Sequence, residues 1–235
     1  MKVLIIDCNI DRDCWGSADL MRLAQVQAGA TVSVRRAPQE DLPRRLEDFD
    51  RVIVSGSKTG AAESAPWIDR LLEMVRRTVD LEIPYLGVCF GHQMLARAFG
   101  GPESVRKAAV PEFGWVEIQI QENSSLMHGL PQKFHSFAAH FDEVAQLPLG
   151  FKVLANSGAC AVQACQLQNL PVFGIQFHPE KNLLTAEKML AEKDQSKDPP
   201  SLFNRDRGRI LYREEIALRI FGNFLSWEMH DNSKK

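Results

Sequence analysis

The residues with the most chemical potential are a cysteine framed by glycines and a histidine followed closely by a glutamate. The first lies in Ile83-Pro84-Tyr85-Leu86-Gly87-Val88-Cys89-Phe90-Gly91-His92-Gln93-Met94-Leu95-Ala96. An apolar strand stops at Cys89 and turns straight into a helix. Glycines stand two residues before the cysteine and two after it. This is the nucleophile-elbow pattern with sulfur in place of a serine oxygen. A turn that tight demands small neighbours. The helix that follows aims its free N–H groups and positive dipole end at the sulfur, which favours thiolate over thiol.

A thiolate nucleophile needs a base, and the base needs an orienting partner. The chain has six histidines, and only His178 ends an apolar strand, in Phe173-Gly174-Ile175-Gln176-Phe177-His178-Pro179-Glu180. Pro179 stops the strand. In extended geometry Glu180 lies on the same side as His178 and can fix the imidazole tautomer. Cys89 is then the nucleophile, His178 the base and later the acid, and Glu180 the orienter. Acyl chemistry also needs an oxyanion hole. The N–H of Phe90 supplies one donor. The loop after the third strand supplies a second, where Gly56 and Ser57 allow a close backbone approach. His92 is adjacent to the nucleophile in sequence but is turned elsewhere on the helix. Lys58 reads as a solvated loop lysine, and His128, His135 and His230 as structural or solvated.

The elements that must hold these groups follow from periodicity. Continuous apolar runs at residues 3–6, 51–54 and 85–88 read as strands covered on both faces, and residues 31–34 as a further strand. Helical spacing marks residues 17–28, closed by Gly29, and residues 67–79, opened by Pro66. It also marks a short helix at 42–49 and the helix at 93–99 after the elbow. Four strand–helix alternations in the first hundred residues imply a parallel sheet with helices on both faces, whose sites gather at the strands' carboxyl ends. The second half changes character. Residues 115–120, 151–155, 161–165 and 172–177 read as strands with short turns, an antiparallel layer feeding back into the main sheet. Residues 188–209 form a polar stretch read as a helix tail and a loop. Residues 214–227 form a closing amphipathic helix. No internal repeat or domain boundary stands out, so residues 1–235 read as one domain.

Composition narrows the class. Of 235 residues, 45% are hydrophobic and 25% charged, ordinary for a globular protein, and the net charge of −2 carries no basic block that would suit a nucleic acid. The five cysteines form no CxxC pair, so no metal site is expected. Met1-Lys2 leads directly into a strand, no run approaches the roughly 20 apolar residues of a membrane span, and a reduced cytoplasmic setting is expected.

Gly87-Val88-Cys89-Phe90-Gly91-His92-Gln93, together with Phe177-His178-Pro179-Glu180, resembles the class I (triad) glutamine amidotransferases. The nearest likeness is to free-standing relatives of the GMP synthetase glutaminase domain. The resemblance covers residues 3–180, and Phe221-Gly222-Asn223-Phe224 also fits it. It implies an α/β, flavodoxin-like three-layer sandwich with a mostly parallel sheet and an added antiparallel layer. It implies a glutaminase reaction without a cofactor. Cys89 attacks the side-chain amide, ammonia leaves, and water releases glutamate from a thioester. By place in the motif Gln93 would help hold the substrate. His140-Phe141-Asp142-Glu143-Val144 is similar to the family's His-Gly-Asp-x-Val segment, which would set Asp142 near the pocket. Two departures stand out. The family's Ser-Gly-Gly-Pro loop is Ser55-Gly56-Ser57-Lys58 here, and the glycine of His-Gly-Asp is Phe141. The chain ends where a GMP synthetase would continue into its ATP-pyrophosphatase domain, so an ammonia-accepting synthetase would be a separate chain. Two other readings stay open: a stand-alone γ-glutamyl peptide hydrolase, and a non-catalytic sensing or interaction protein on the same scaffold.

Overall fold

The computed structural model describes residues 1–168, 170–194 and 202–227. His230 and the middle of the 188–209 stretch lie outside the described residues. In chain order the strands and helices are β1 (Lys2–Asp7), α1 (Ala18–Ala28), β2 (Thr31–Arg36), β3 (Arg51–Val54), α2 (Pro66–Asp80), β4 (Tyr85–Val88), α3 (Phe90–Gly100), β5 (Val105–Ile120), β6 (Lys133–Val144), β7 (Phe151–Asn156), β8 (Ala164–Leu167), β9 (Val172–Ile175), α4 (Leu183–Asp194), β10 (Leu202–Phe203), α5 (Gly208–Leu211) and α6 (Glu214–Leu225).

β2, β1, β3, β4 and β9 run parallel in that order, the flavodoxin-like arrangement. The sheet continues antiparallel through β8, β7 and β5, and β5 also pairs with β6. The class expected from the sequence, an α/β sandwich with an added antiparallel layer, is the observed one. The central strands read as unbroken apolar runs because both their faces are covered. Ile5 and Ile53 face α1 and α6, where Leu20, Leu23, Ile220 and Phe221 close one apolar layer. Leu4, Ile6, Val52 and Val54 face α2 and α3, where Ile68, Leu71, Val75, Met94 and Leu95 close the other. A third, smaller cluster sits under α4, with Phe113, Trp115 and Phe137 from β5 and β6 against Ala186 and Leu190.

Several expectations are corrected. Residues 42–49 form no helix. Leu46 is buried, but only one turn-like bond, from Phe49 N–H to Leu46 O, closes there. Arg77 of α2 reaches across to the Arg44 carbonyl and the Glu47 carboxylate, satisfying from outside what a helix would satisfy from within. The helix after the elbow starts at Phe90, not residue 93, and β5 begins ten residues before residue 115. The strand expected at 161–165 is β8, at 164–167, and β9 ends at Ile175, two residues short of the expected end. β6 was not expected at all. Its buried face carries Ser136, His140 and Asp142, which hides the alternation. Among the described residues no helix is long and apolar enough to cross a membrane.

Candidate active site

β4 delivers Cys89 to the carboxyl edge of the sheet. Its N–H donates to Ile175 O of β9 at 2.8 Å, and α3 starts on the next residue. Cys89 has φ 51° and ψ −101°, a conformation that costs an ordinary residue about 1–3 kcal/mol and is typical of nucleophile elbows. The glycine frame has a steric cause. A Cβ on Gly87 would be driven into the backbone of Gly91, and one on Gly91 into the carbonyl of Val54 in β3. Gly91 N–H donates to Ser55 O at 3.2 Å, and the buried Tyr85 hydroxyl donates to Gly91 O at 2.9 Å. The elbow is therefore strapped to β3 and β4 from two sides.

His178 follows β9. Phe177 is fully buried beneath it, and the His178 N–H donates to Phe137 O of β6 at 2.7 Å. The segment is a turn rather than an extended strand, closed by Lys181 N–H to His178 O at 3.2 Å. The turn still brings Glu180 back onto the ring. Its Oε1 lies 2.7 Å from His178 Nδ1. Burial alone would lower the His178 pKa. The charges of Glu180 and Cys89, with their hydrogen bonds to the ring, outweigh it and hold the imidazole well above the usual histidine range. Burial pushes Glu180 up, and the His178 charge and hydrogen bond reverse this, so the carboxyl is held below its ordinary value. Glu180 occupies Nδ1, which leaves Nε2 for the sulfur. The loop after β3 closes the same space. A Cβ on Gly56 would lie 3.0 Å from His178 Cε1 and 3.6 Å from Cys89 Cβ. Cys89, His178, Glu180 and Gly56 are thus brought together. Among the described residues no hydrogen bond takes up the N–H groups of Gly56, Ser57 or Phe90.

Gln93 is buried one turn into α3. Its Nε2 donates to the Asp142 carbonyl at 2.8 Å and to Gln176 Oε1 at 3.0 Å. The Asp142 carboxylate is engaged by the protein. It accepts from Ala61 N–H at 2.6 Å and pairs with Lys107 Nζ at 2.7 Å. Asp142 therefore ties β6 to the loop after β3. His92 is fully buried between Val162 O and Cys165 Sγ, and burial pushes its pKa down to about 3. It is neutral and turned away from Cys89, as its place on the helix suggested. Lys58 is exposed.

Two contributors were missed from sequence. Arg97 of α3 donates to Ala61 O at 2.8 Å and to Glu63 O at 2.6 Å, so the helix that carries the nucleophile also clamps the Gly56–Ser57 loop. A lone arginine in Met94-Leu95-Ala96-Arg97-Ala98 is the signal that could have found it, since arginine is rarely buried without partners. Gln176, in the crossing between β9 and His178, supports Gln93 and carries no comparable signal.

A cysteine on a strand–helix elbow, oriented by a histidine–glutamate turn on the neighbouring strand of a flavodoxin-like sheet, defines a class of amide-processing enzymes. The family described as glutamine amidotransferase class-I matches residues 17–195, and the chain belongs to it. It is similar to a glutamine-hydrolyzing GMP synthase subunit of Thermococcus kodakarensis, 44% identical over 101 residues, which span 43% of this chain and 53% of that one. The relative of the same name from Methanocaldococcus jannaschii is 35% identical over 158 residues, 67% of this chain and 78% of that one. A solved glutamine amidotransferase from Methylobacillus flagellatus shares the fold with a TM-score of 0.79 at 22% identity, covering 95% of this chain and 94% of that one.

Proposed function

We propose that the chain hydrolyses the side-chain amide of glutamine through a thioester on Cys89. The observation that carries this reading is the 2.7 Å contact between His178 Nδ1 and Glu180, made where Gly56 lies against both the His178 ring and Cys89. His178 takes the proton of the Cys89 thiol as the sulfur attacks the amide carbon, and the C=O electrons move onto oxygen. The N–H groups of Phe90 and of Gly56 or Ser57 receive that oxyanion. As the C–N bond breaks, His178 gives its proton to the leaving nitrogen, and ammonia departs. His178 then takes a proton from water as the water oxygen attacks the thioester carbon. Glutamate leaves, and the proton returns to sulfur. Glu180 holds the ring in register throughout. Gln93 and Asp142 shape the substrate end of the pocket. Asp142 acts through the loop that it fastens, rather than through a free carboxylate.

Residues 1–235 are read as one domain, in keeping with the single sheet that links β1 to β10. Ammonia would pass to a separate synthetase chain. The relatives are named as one subunit of a GMP synthase, which supports such a division of labour. The test is a hydrolysis screen of free glutamine against γ-glutamyl peptides. Release of ammonia and glutamate from glutamine in equal amounts is expected. Faster turnover of a γ-glutamyl peptide would replace the reading with a peptide hydrolase, and no turnover of either would leave a binding protein.

A further inference from the structure

Away from Cys89 the chain gathers a second glutamate, histidine and cysteine. Glu112 of β5 and His140 of β6 face each other directly across the strand pair, next to the register irregularity between Lys107 and Glu112. Cys160 comes from the loop between β7 and β8. One ligand atom from each lies within 4.8 Å of the other two, and all three side chains are buried. His140 Nε2 is 2.9 Å from Glu112 Oε2, and the other ring nitrogen, Nδ1, faces the Asp142 carbonyl at 3.1 Å. The same Glu112 Oε2 also accepts from Gln163 Nε2 at 2.5 Å, and Oε1 accepts from the Ser157 hydroxyl at 2.6 Å.

The cluster has one unfilled acceptor. Gln163 is fully buried, its amide nitrogen rests on Glu112, and its Oε1 has no partner among the described residues. An orphaned buried acceptor is destabilising, so its presence needs a reason. We propose that Glu112, His140 and Cys160 bind one divalent transition-metal ion of the zinc type, with Gln163 Oε1 or a water in the fourth position.

The donor set supports this. A thiolate, an imidazole nitrogen and a carboxylate suit a borderline-soft ion in tetrahedral geometry. The charges also close. A divalent cation with a carboxylate, a thiolate and a neutral imidazole sums to zero, the condition under which buried charges are tolerated. The protons balance too. With the ion on His140 Nε2, the neutral ring carries its one proton on Nδ1, where the Asp142 carbonyl accepts it, and any second ring proton leaves to solvent. Cys160 gives its own proton to solvent. A ligating histidine that donates its other N–H to a backbone carbonyl is the usual outer support of such sites. The three ligands come from positions too far apart for the CxxC spacing that a sequence search looks for.

Cobalt(II) tests the site, because its thiolate complexes absorb by charge transfer in the near ultraviolet. The experiment uses the full chain carrying Cys89→Ala, so that the Cys89–His178 pair cannot supply a thiolate. One cobalt per chain and a thiolate band are expected. Cys160→Ser in the same background should abolish the band, Glu112→Gln should weaken binding about 10-fold or more, and excess zinc should bleach the band and raise Tm. Absence of the band, or a band that survives Cys160→Ser, overturns the proposal. Because Glu112→Gln disturbs a buried network and could unfold the chain, the sulfur-to-oxygen change decides alone.

Discussion

The molecule holds two sets of cysteine, histidine and glutamate, built from the same side chains and arranged for different ends. In the first, Glu180 takes His178 Nδ1 while the Gly56 loop lies against both the ring and Cys89. The three groups form a line with a donor at each step, and the line ends at an elbow in a strained backbone conformation. In the second, one ligand atom from each of Glu112, His140 and Cys160 lies within 4.8 Å of the other two. Glu112 accepts from three neighbours, and none of the three residues has a positive φ. The line can move a proton along itself, whereas the cage can only hold something at its middle. The difference is one of topology. The line sits where parallel strands end and helices begin. The cage sits in the antiparallel layer, where facing residues of β5 and β6 meet directly.

Removing the two sulfurs separates these roles most widely. Cys89→Ala should lower glutamine turnover by about 10⁴-fold or more, with circular dichroism unchanged. Cys160→Ser should leave turnover within a few-fold. Equal losses from both would collapse the distinction between line and cage.

Removing the two carboxylates should divide rate from stability. Glu180→Gln should lower kcat by about 10²- to 10⁴-fold with little change in KM, because the ring loses its orienter but substrate contacts stay. Glu112→Gln should instead cost about 1–3 kcal/mol of stability, read from the urea midpoint, as the buried donors of Ser157, Gln163 and His140 lose carboxylate acceptors. The pH dependence sharpens the first half. His178 is raised above its free value of about 6.5, so its contribution to stability is whole below that pH and is lost as pH rises through the native value. Glu180 is lowered below about 4.5, so its contribution is present above that pH and is lost as pH falls through the native value. The pair therefore stabilises most fully between these two limits. Glu180→Gln should flatten the alkaline decline in the unfolding midpoint, and an unchanged decline would assign it to other groups.

The line was legible in the sequence and the cage was not, for the same physical reason. Gly87, Cys89 and Gly91 are constrained by contacts within five residues and by the two strands that flank β4, so their spacing carries the geometry. His178 and Glu180 meet within one turn, even though that turn was expected to be extended. Glu112 and His140 meet only because β6 pairs with β5, and β6 itself was hidden by the polar residues it buries. The parallel half of the sheet was readable because strands covered on both faces have no polar interruptions. The non-helical course of residues 42–49 depends on Arg77 from another element, which no local pattern reports.

The clamp on the loop after β3 gives a smaller effect that belongs to the line alone. Arg97→Gln removes both bonds to the Ala61 and Glu63 carbonyls. The Gly56–Ser57 backbone should then drift from Cys89, with a loss in kcat/KM of up to about 10²-fold and no effect on metal binding.

The smallest effect is expected where this chain departs from its family's loop. Ser57 stands where the family carries glycine, and its hydroxyl accepts the Thr59 N–H at 3.1 Å. Ser57→Gly removes that bond, worth about 1 kcal/mol, and should lower Tm slightly. If the oxyanion donors are the main-chain N–H groups of this loop and of Phe90, kcat should barely change, because the substitution deletes no backbone donor. A fall in kcat of about 10²-fold would mean that the serine hydroxyl itself meets the oxyanion, and the line would then end on a side chain rather than on the backbone.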